Sequence, residues 1–244
     1  MKATKTEIKV LKVAKYKCLE SLPFFTRYFF KQNHNRKFVI GDHHELICDV
    51  LEKVLKGEII RLIINVAPRY SKTELAVKNF IAHGLALNPS AKFIHLSYSD
   101  SLALDNSEEI KDMVQSFPYT QLFQDVIVKK DSKSKKKWYT TSGGGVYATA
   151  AGGQVTGFGA GKVEDMDDSE MEEMFINEKE GFGGAIIIDD PIKPDDADSD
   201  VIRERINQRF DSTIRNRTNS RNTPIIIIMQ RLHPNDLCGY LMNV

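Results

Sequence analysis

Four short runs of apolar, mostly β-branched residues constrain this chain more than anything else in it. They are EIIRLIINVA at 58–67, AKFIHLSYS at 91–99, GAIIIDD at 184–190 and NTPIIIIMQRL at 222–232. Runs of this length, bounded by glycine, proline or polar residues, read as strands buried on both faces rather than as helices. Helical patterns alternate with them. HHELICDVLEKVLKG at 43–57 sets Leu46, Ile47, Val50, Leu51, Val54 and Leu55 at helical spacing and stops at Gly57. Further helices are expected from Lys72 to Leu87, from Ser101 to Ser116 and around 200–217. Such alternation predicts an α/β fold: a mostly parallel central sheet with helices on both faces.

Two flanking regions are less regular. Residues 1–40 mix lysines with the aromatic cluster LPFFTRYFF and predict a helical segment, partly docked, ahead of a domain spanning 41–244. The stretch VIVKKDSKSKKKW at 126–138 carries six lysines and reads as a solvated hairpin or loop. The glycine-rich 143–162 predicts short strands and tight turns, and the acidic stretch 164–180 separates it from the third apolar run. No internal repeat, interdomain linker or terminal element after the fourth run is evident. A net charge of +1 rules out a global field drawing the chain onto nucleic acid or membrane. Cys18, Cys48 and Cys238 form no metal or disulfide pattern, and there is no apolar stretch long enough to span a bilayer and no signal peptide. The expectation is a soluble intracellular protein.

The candidate chemistry lies where three of the runs end. NVAPRYSKTEL, at 65–75, closes in Lys72-Thr73 like a phosphate-binding loop, yet Val66 and Ser71 stand where the two glycines of that loop belong. Lys72 would neutralise phosphate charge and the Thr73 hydroxyl would help hold Mg²⁺. Ser71 can serve there only if its backbone conformation is permitted, while Pro68 fixes one φ and removes one donor. A plain strand–loop–helix junction capped by Ser71 gives the same pattern. AIIIDDP supplies strand-end carboxylates: Asp189 to coordinate metal and Asp190 as general base for an attacking water. Gln230, after the fourth run, is placed to sense a γ-phosphate, and Arg69 to reach it from within the loop. The expected ATP-binding set is Pro68, Arg69, Tyr70, Ser71, Lys72, Thr73 and Glu74 with His44. For His44 a place on the helix surface is the stronger reading than contact with adenine. GFGAGK at 157–162 looks like a second loop of this kind but lacks its first glycine, its hydroxyl residue and a preceding buried strand.

Taken in order, INVAPRYSKTEL, HLSYSDSLA, GGGVYATAAGGQVTGFGAG, GAIIIDDPIKP and IIIIMQRLHPNDLCGYL resemble the ATPase domain of a tailed-bacteriophage terminase large subunit, over roughly 40–244. That resemblance implies a P-loop NTPase of the ASCE type. It implies ATP and Mg²⁺ as cofactors and hydrolysis that drives double-stranded DNA into a procapsid. It also implies a variant loop in which a proline-arginine pair replaces the glycine-rich start. Lys72 and Thr73 match the phosphate and Mg²⁺ residues, Asp189 the metal ligand, Arg69 the cis-acting arginine and Gln230 the coupling position. Implied partners are a portal protein and a small terminase subunit. The chain is expected to be monomeric when isolated, to form a ring on the capsid, and to reside in the host cytoplasm. The sequence departs from the family in having Asp190 where many members have Glu, in Ser71, and in carrying no nuclease constellation. Two other readings stand beside this one: a helicase or translocase with the same core, or a catalytically silent nucleic-acid-binding module. The latter would use lysines 129–137 and Arg203, Arg205, Arg209, Arg215 and Arg217.

Overall fold

A computed structural model describes residues 4–152, 159–160 and 181–243. The acidic stretch 164–180 and most of GFGAGK lie outside the described residues. Six strands form one sheet in the order β1 (Arg61–Asn65), β6 (Ile225–Met229), β5 (Gly184–Asp189), β2 (Lys92–Ser97), β4 (Gly145–Ala150), β3 (Lys137–Tyr139). All neighbours are parallel except β3, which runs antiparallel to β4. The fold is therefore α/β with a mostly parallel sheet, and each apolar run supplies one strand.

Alternation along the strands sends side chains to two cores. On one face Phe93, Val146, Ala185, Ile187, Ile226 and Ile228 meet the helices α1 (Lys5–Glu20), α2 (Leu22–His34), α3 (Asp42–Leu55), α4 (Phe80–Leu87), α5 (Asp100–Gln115) and α6 (Phe117–Leu122). On the other, Ile94, Leu96, Ile186, Ile188, Ile225 and Ile227 pack on Phe210 and Ile214, which follow α7 (Asp200–Arg209), and on Leu237 of α8 (Leu237–Met242). Gly184 opens β5 at φ 121, where an added Cβ would lie 1.9 Å from the Lys92 carbonyl oxygen, so the β2–β5 pairing requires glycine there.

The N-terminal segment forms two helices. Thr4 and Glu7 make a capping box at the start of α1, and the Ser21 hydroxyl accepts from Phe24 N at the start of α2. Leu22, Phe25 and Phe29 are fully buried, with the Phe25 and Phe29 rings 4.5 Å apart and Tyr119 beside them. Burial of each such ring is worth roughly 1.5–3 kcal/mol, so α2 is a wall of the core.

Three sequence expectations change. Within the lysine-rich stretch Val126, Val128 and Trp138 are buried, the indole donating to the Ser107 hydroxyl at 3.0 Å. The stretch is a hairpin with an apolar inner side, because the lysines occupy the outward positions. After the last strand there is a short helix, α8, capped by Asp236, whose carboxylate accepts from Gly239 N at 2.9 Å. The helix expected over 200–217 is α-helical only to Arg209, then becomes a π-turn (Phe210–Ile214) and a 3₁₀ turn (Arg215–Arg217).

Candidate active site

The register sets five strand ends on one rim. Asn65 of β1 pairs with Met229 of β6, Ile228 with Asp189 of β5, Asp189 with Ser97 of β2, and Ser97 with Ala150 of β4. Because β6 lies between β1 and β5, whatever follows β6 sits between the loop after β1 and the carboxylates of β5.

That loop turns without glycine by placing ordinary residues in the left-handed region. Arg69 has φ 67 and Ser71 φ 60. Asp190 follows at φ 44, so three of the four non-glycine residues with positive φ among the described residues belong to this rim. Each such conformation costs an L-residue roughly 1–2 kcal/mol and persists only where surrounding bonds hold it. For Asp190 those bonds are visible: its N donates to Ile228 O at 2.8 Å and its carbonyl accepts from Tyr98 N at 2.9 Å. Beyond Ser71 the chain enters a helix whose first part, Glu74–Asn79, is a π-turn in which Phe80 N donates to Leu75 O. The Asn79 amide bonds both the carbonyl (2.8 Å) and the carboxylate (2.9 Å) of Glu74 and braces that turn.

At the head of this helix two side chains meet two carboxylates. Lys72 Nζ lies 2.7 Å from Asp190 Oδ1, and Thr73 Oγ1 donates to Asp189 Oδ2 at 2.6 Å. Lys72 and Asp189 are buried, at 6% and 4% exposure, while the Asp190 side chain keeps 31%. Burial pushes the Asp189 carboxyl up to about 6; the Thr73 hydrogen bond and the Lys72 charge counter it, and Asp190 adds to it. Asp189 Oδ1 is buried with no hydrogen-bond partner. A carboxylate oxygen left in that state costs roughly 1–3 kcal/mol, which a bound cation would recover. The hydroxyl-plus-carboxylate set suits Mg²⁺, which takes few protein oxygens and completes its shell with phosphate and water. Among the described residues no group of three His, Cys, Asp or Glu forms a fuller cage.

Of the remaining expected residues, Gln230 N points at Asp190 Oδ1 from 3.4 Å, a long contact that still puts Gln230 on the rim. Pro68, Arg69 and Tyr70 are exposed on the loop. Glu74 turns its carboxylate to Asn79 and, at 3.7 Å, Lys78. His44 is buried at 8% exposure instead of lying on the helix surface, because its Nδ1 accepts from Gly41 N at 3.0 Å and closes the start of α3. The histidine that meets the loop is its neighbour: the His43 and Tyr70 rings are 5.2 Å apart, edge to face. Arg203 is not available to an external phosphate; it is buried, donating to Ala197 O and paired with Asp200.

Sequence reasoning missed three contributors. Ser97, buried, sits beside Asp189 in register. His43 differs from His44 by one helical position, which no pattern distinguishes. Asp236 accepts from Leu232 N, His233 N and Arg231 Nε and so folds the loop after Gln230 back on itself. An aspartate directly before a helix was the signal available for it. The same contacts employ Arg231 as a strut. A cavity of about 660 Å³ opens at the opposite edge of the sheet, lined by Leu55, Gly57, Ile60, Phe182 and Pro224 among others, and contains none of this chemistry.

No protein-family model matches this chain, and no curated protein matches it. Among solved structures the fold is similar to the crystal structure of the HK97 bacteriophage large terminase, with a TM-score of 0.49 and 16% identity. The alignment covers 85% of this chain and 37% of that one. No described helix is long and apolar enough to cross a membrane.

Proposed function

We propose that this chain binds ATP at the rim where β1, β5 and β6 end and hydrolyses it, as the motor domain of a terminase-type large subunit that moves double-stranded DNA into a procapsid. The observation that carries the hydrolase reading is the double contact of consecutive residues with consecutive residues. Lys72 reaches Asp190 and Thr73 reaches Asp189, from elements far apart in the chain and at the head of a helix. A helix N-terminus preceded by an exposed loop offers unpaired N–H groups and positive potential to an anion. The packaging role rests on the motif series of the sequence, and so do the portal protein and small subunit as partners.

In this reading the Lys72 ammonium neutralises the terminal phosphates and Arg69 folds over them from the loop. Thr73 Oγ1 and Asp189 hold Mg²⁺, which when bound screens the phosphate charge. Asp190 accepts the proton of a water whose oxygen bonds to the γ-phosphorus as the bond to the diphosphate breaks. Gln230 orients that water or senses the departing phosphate. Released phosphate measured for the wild type and for Lys72→Ala, with and without duplex DNA, tests the proposal. Hydrolysis that depends on Lys72 and rises with DNA supports it; equal release by both proteins ends it.

A further inference from the structure

Lys72 is nearly enclosed and has given its charge to an internal partner, Asp190 Oδ1 at 2.7 Å. This is the amine that the nucleotide reading assigns to phosphate. Asp190 has the place of a ligand as well as of a residue. Its backbone is fixed by Ile228 O and Tyr98 N, its side chain remains 31% exposed, and Gln230 N faces the same oxygen. One carboxylate oxygen thus collects an ammonium and a backbone N–H, the two kinds of donor a phosphate oxygen takes at such a rim.

Resting on the ATP-site reading, we infer that Asp190 is a specificity-determining residue: its carboxylate holds on Lys72 the position of a terminal phosphate, so the site distinguishes triphosphates from diphosphates. An ammonium has three donors. A diphosphate can take one of them while Asp190 keeps another. A third phosphate comes onto the carboxylate's own position, and the ion pair must open. The opening costs affinity for the triphosphate alone, and it releases Asp190 from Lys72 only when there is a γ-phosphate to attack. An uncommitted base is therefore coupled to the presence of its substrate.

Asp190→Asn and Asp190→Gly test this without disturbing the backbone, since asparagine and glycine both accept the φ of 44 found there. The probes are a non-hydrolysable ATP analogue and ADP, each with Mg²⁺, titrated calorimetrically. Removing the carboxylate should tighten the triphosphate analogue about tenfold, the worth of one charge-assisted hydrogen bond, and leave ADP within about twofold. The same substitutions made in Lys72→Ala should lose that gain, because the competition is for Lys72. Unchanged or weaker triphosphate binding overturns the inference. So does an equal gain in the Lys72→Ala background, which would mean simple repulsion between Asp190 and phosphate. If Lys72→Ala by itself binds both nucleotides as the wild type does, the ATP-site reading fails instead.

Discussion

The Thr73 hydroxyl donates to Oδ2 of Asp189 at 2.6 Å across 116 positions of sequence. Neither residue has another hydrogen bond with the chemistry of a metal site, and the second carboxylate oxygen is buried without a partner. Thr73→Val keeps the shape and removes the oxygen. Phosphate release followed against Mg²⁺ concentration should then fall about a hundredfold, the scale set by losing one pre-positioned polar group. Thr73→Ser should restore most of it. Equal rates for Thr73→Val and the wild type would remove Thr73 from the metal site.

Ser71 holds φ 60 with a side chain that gains nothing visible from it. Ser71→Gly relieves roughly 1–2 kcal/mol of left-handed strain and gives back about 0.4–1 kcal/mol through the more flexible unfolded chain. The expected net is a stabilisation of about 0.5 kcal/mol in urea unfolding. Ser71→Val, β-branched at a positive φ, should destabilise by more than about 1 kcal/mol. A valine variant as stable as the glycine one would show that the loop relaxes to another conformation.

These residues also show where reading a sequence stops. The strands were legible because AIIIDD and IIIIMQ can be little else than buried strands, and carboxylates at a strand end announce a site. What the letters do not contain is order. β6 is last in the chain yet inserts between β1 and β5, and that insertion places Gln230 between Lys72 and the carboxylates. Nor do they contain partners. Lys72 was legible as a phosphate ligand, but its present bond to Asp190 depends on how far β5 extends past its last ladder bond. Trp138 was read with the lysines around it, although alternation buries every second residue there. Val66 and Ser71 looked like missing glycines because the rule is about φ; here a serine and an arginine take the conformation that glycine usually supplies.

Acid should unfold the protein earlier than its carboxylates alone require. Burial lowers His83 and His95 to about 4 each. Between that pH and the unfolded value near 6.5, the unfolded chain binds protons that the fold refuses, so stability rises with pH through the window and is lost as pH falls through it. Each histidine contributes about 3 kcal/mol. Asp189, raised to about 6, acts in the opposite sense. It binds a proton in the fold that the unfolded chain has lost, and so offsets about one histidine. Urea unfolding at pH 7, 5.5 and 4.5 should show a net loss of about 3 kcal/mol over this range. His83→Gln, whose amide can still meet Leu19 O, should lower the slope by about half. A flat profile in the wild type would mean that these imidazoles are hydrated.

The lysine hairpin is where a polyanion would meet this chain if DNA does. Lys130, Lys133 and Lys136 are exposed, whereas Lys135 is tied to Glu108 at 2.9 Å. The hairpin backbone is pinned to α5 through Lys111 Nζ, which donates to Ser132 O at 2.5 Å. It precedes the edge strand β3, whose first residue, Lys137, pairs with Tyr147 near the carboxyl end of β4, so it stands toward the rim that carries Lys72. A fixed row of charges loses little conformational freedom on binding, and each phosphate neutralised contributes about 0.9 to the slope of log K against log salt. Replacing Lys130, Lys133 and Lys136 together by alanine should therefore reduce that slope by about two to three for duplex DNA in anisotropy titrations. Phosphate release without DNA should stay at the wild-type rate. An unchanged slope would move the DNA surface elsewhere, to the exposed Arg205 and Arg215 on the other face of the sheet.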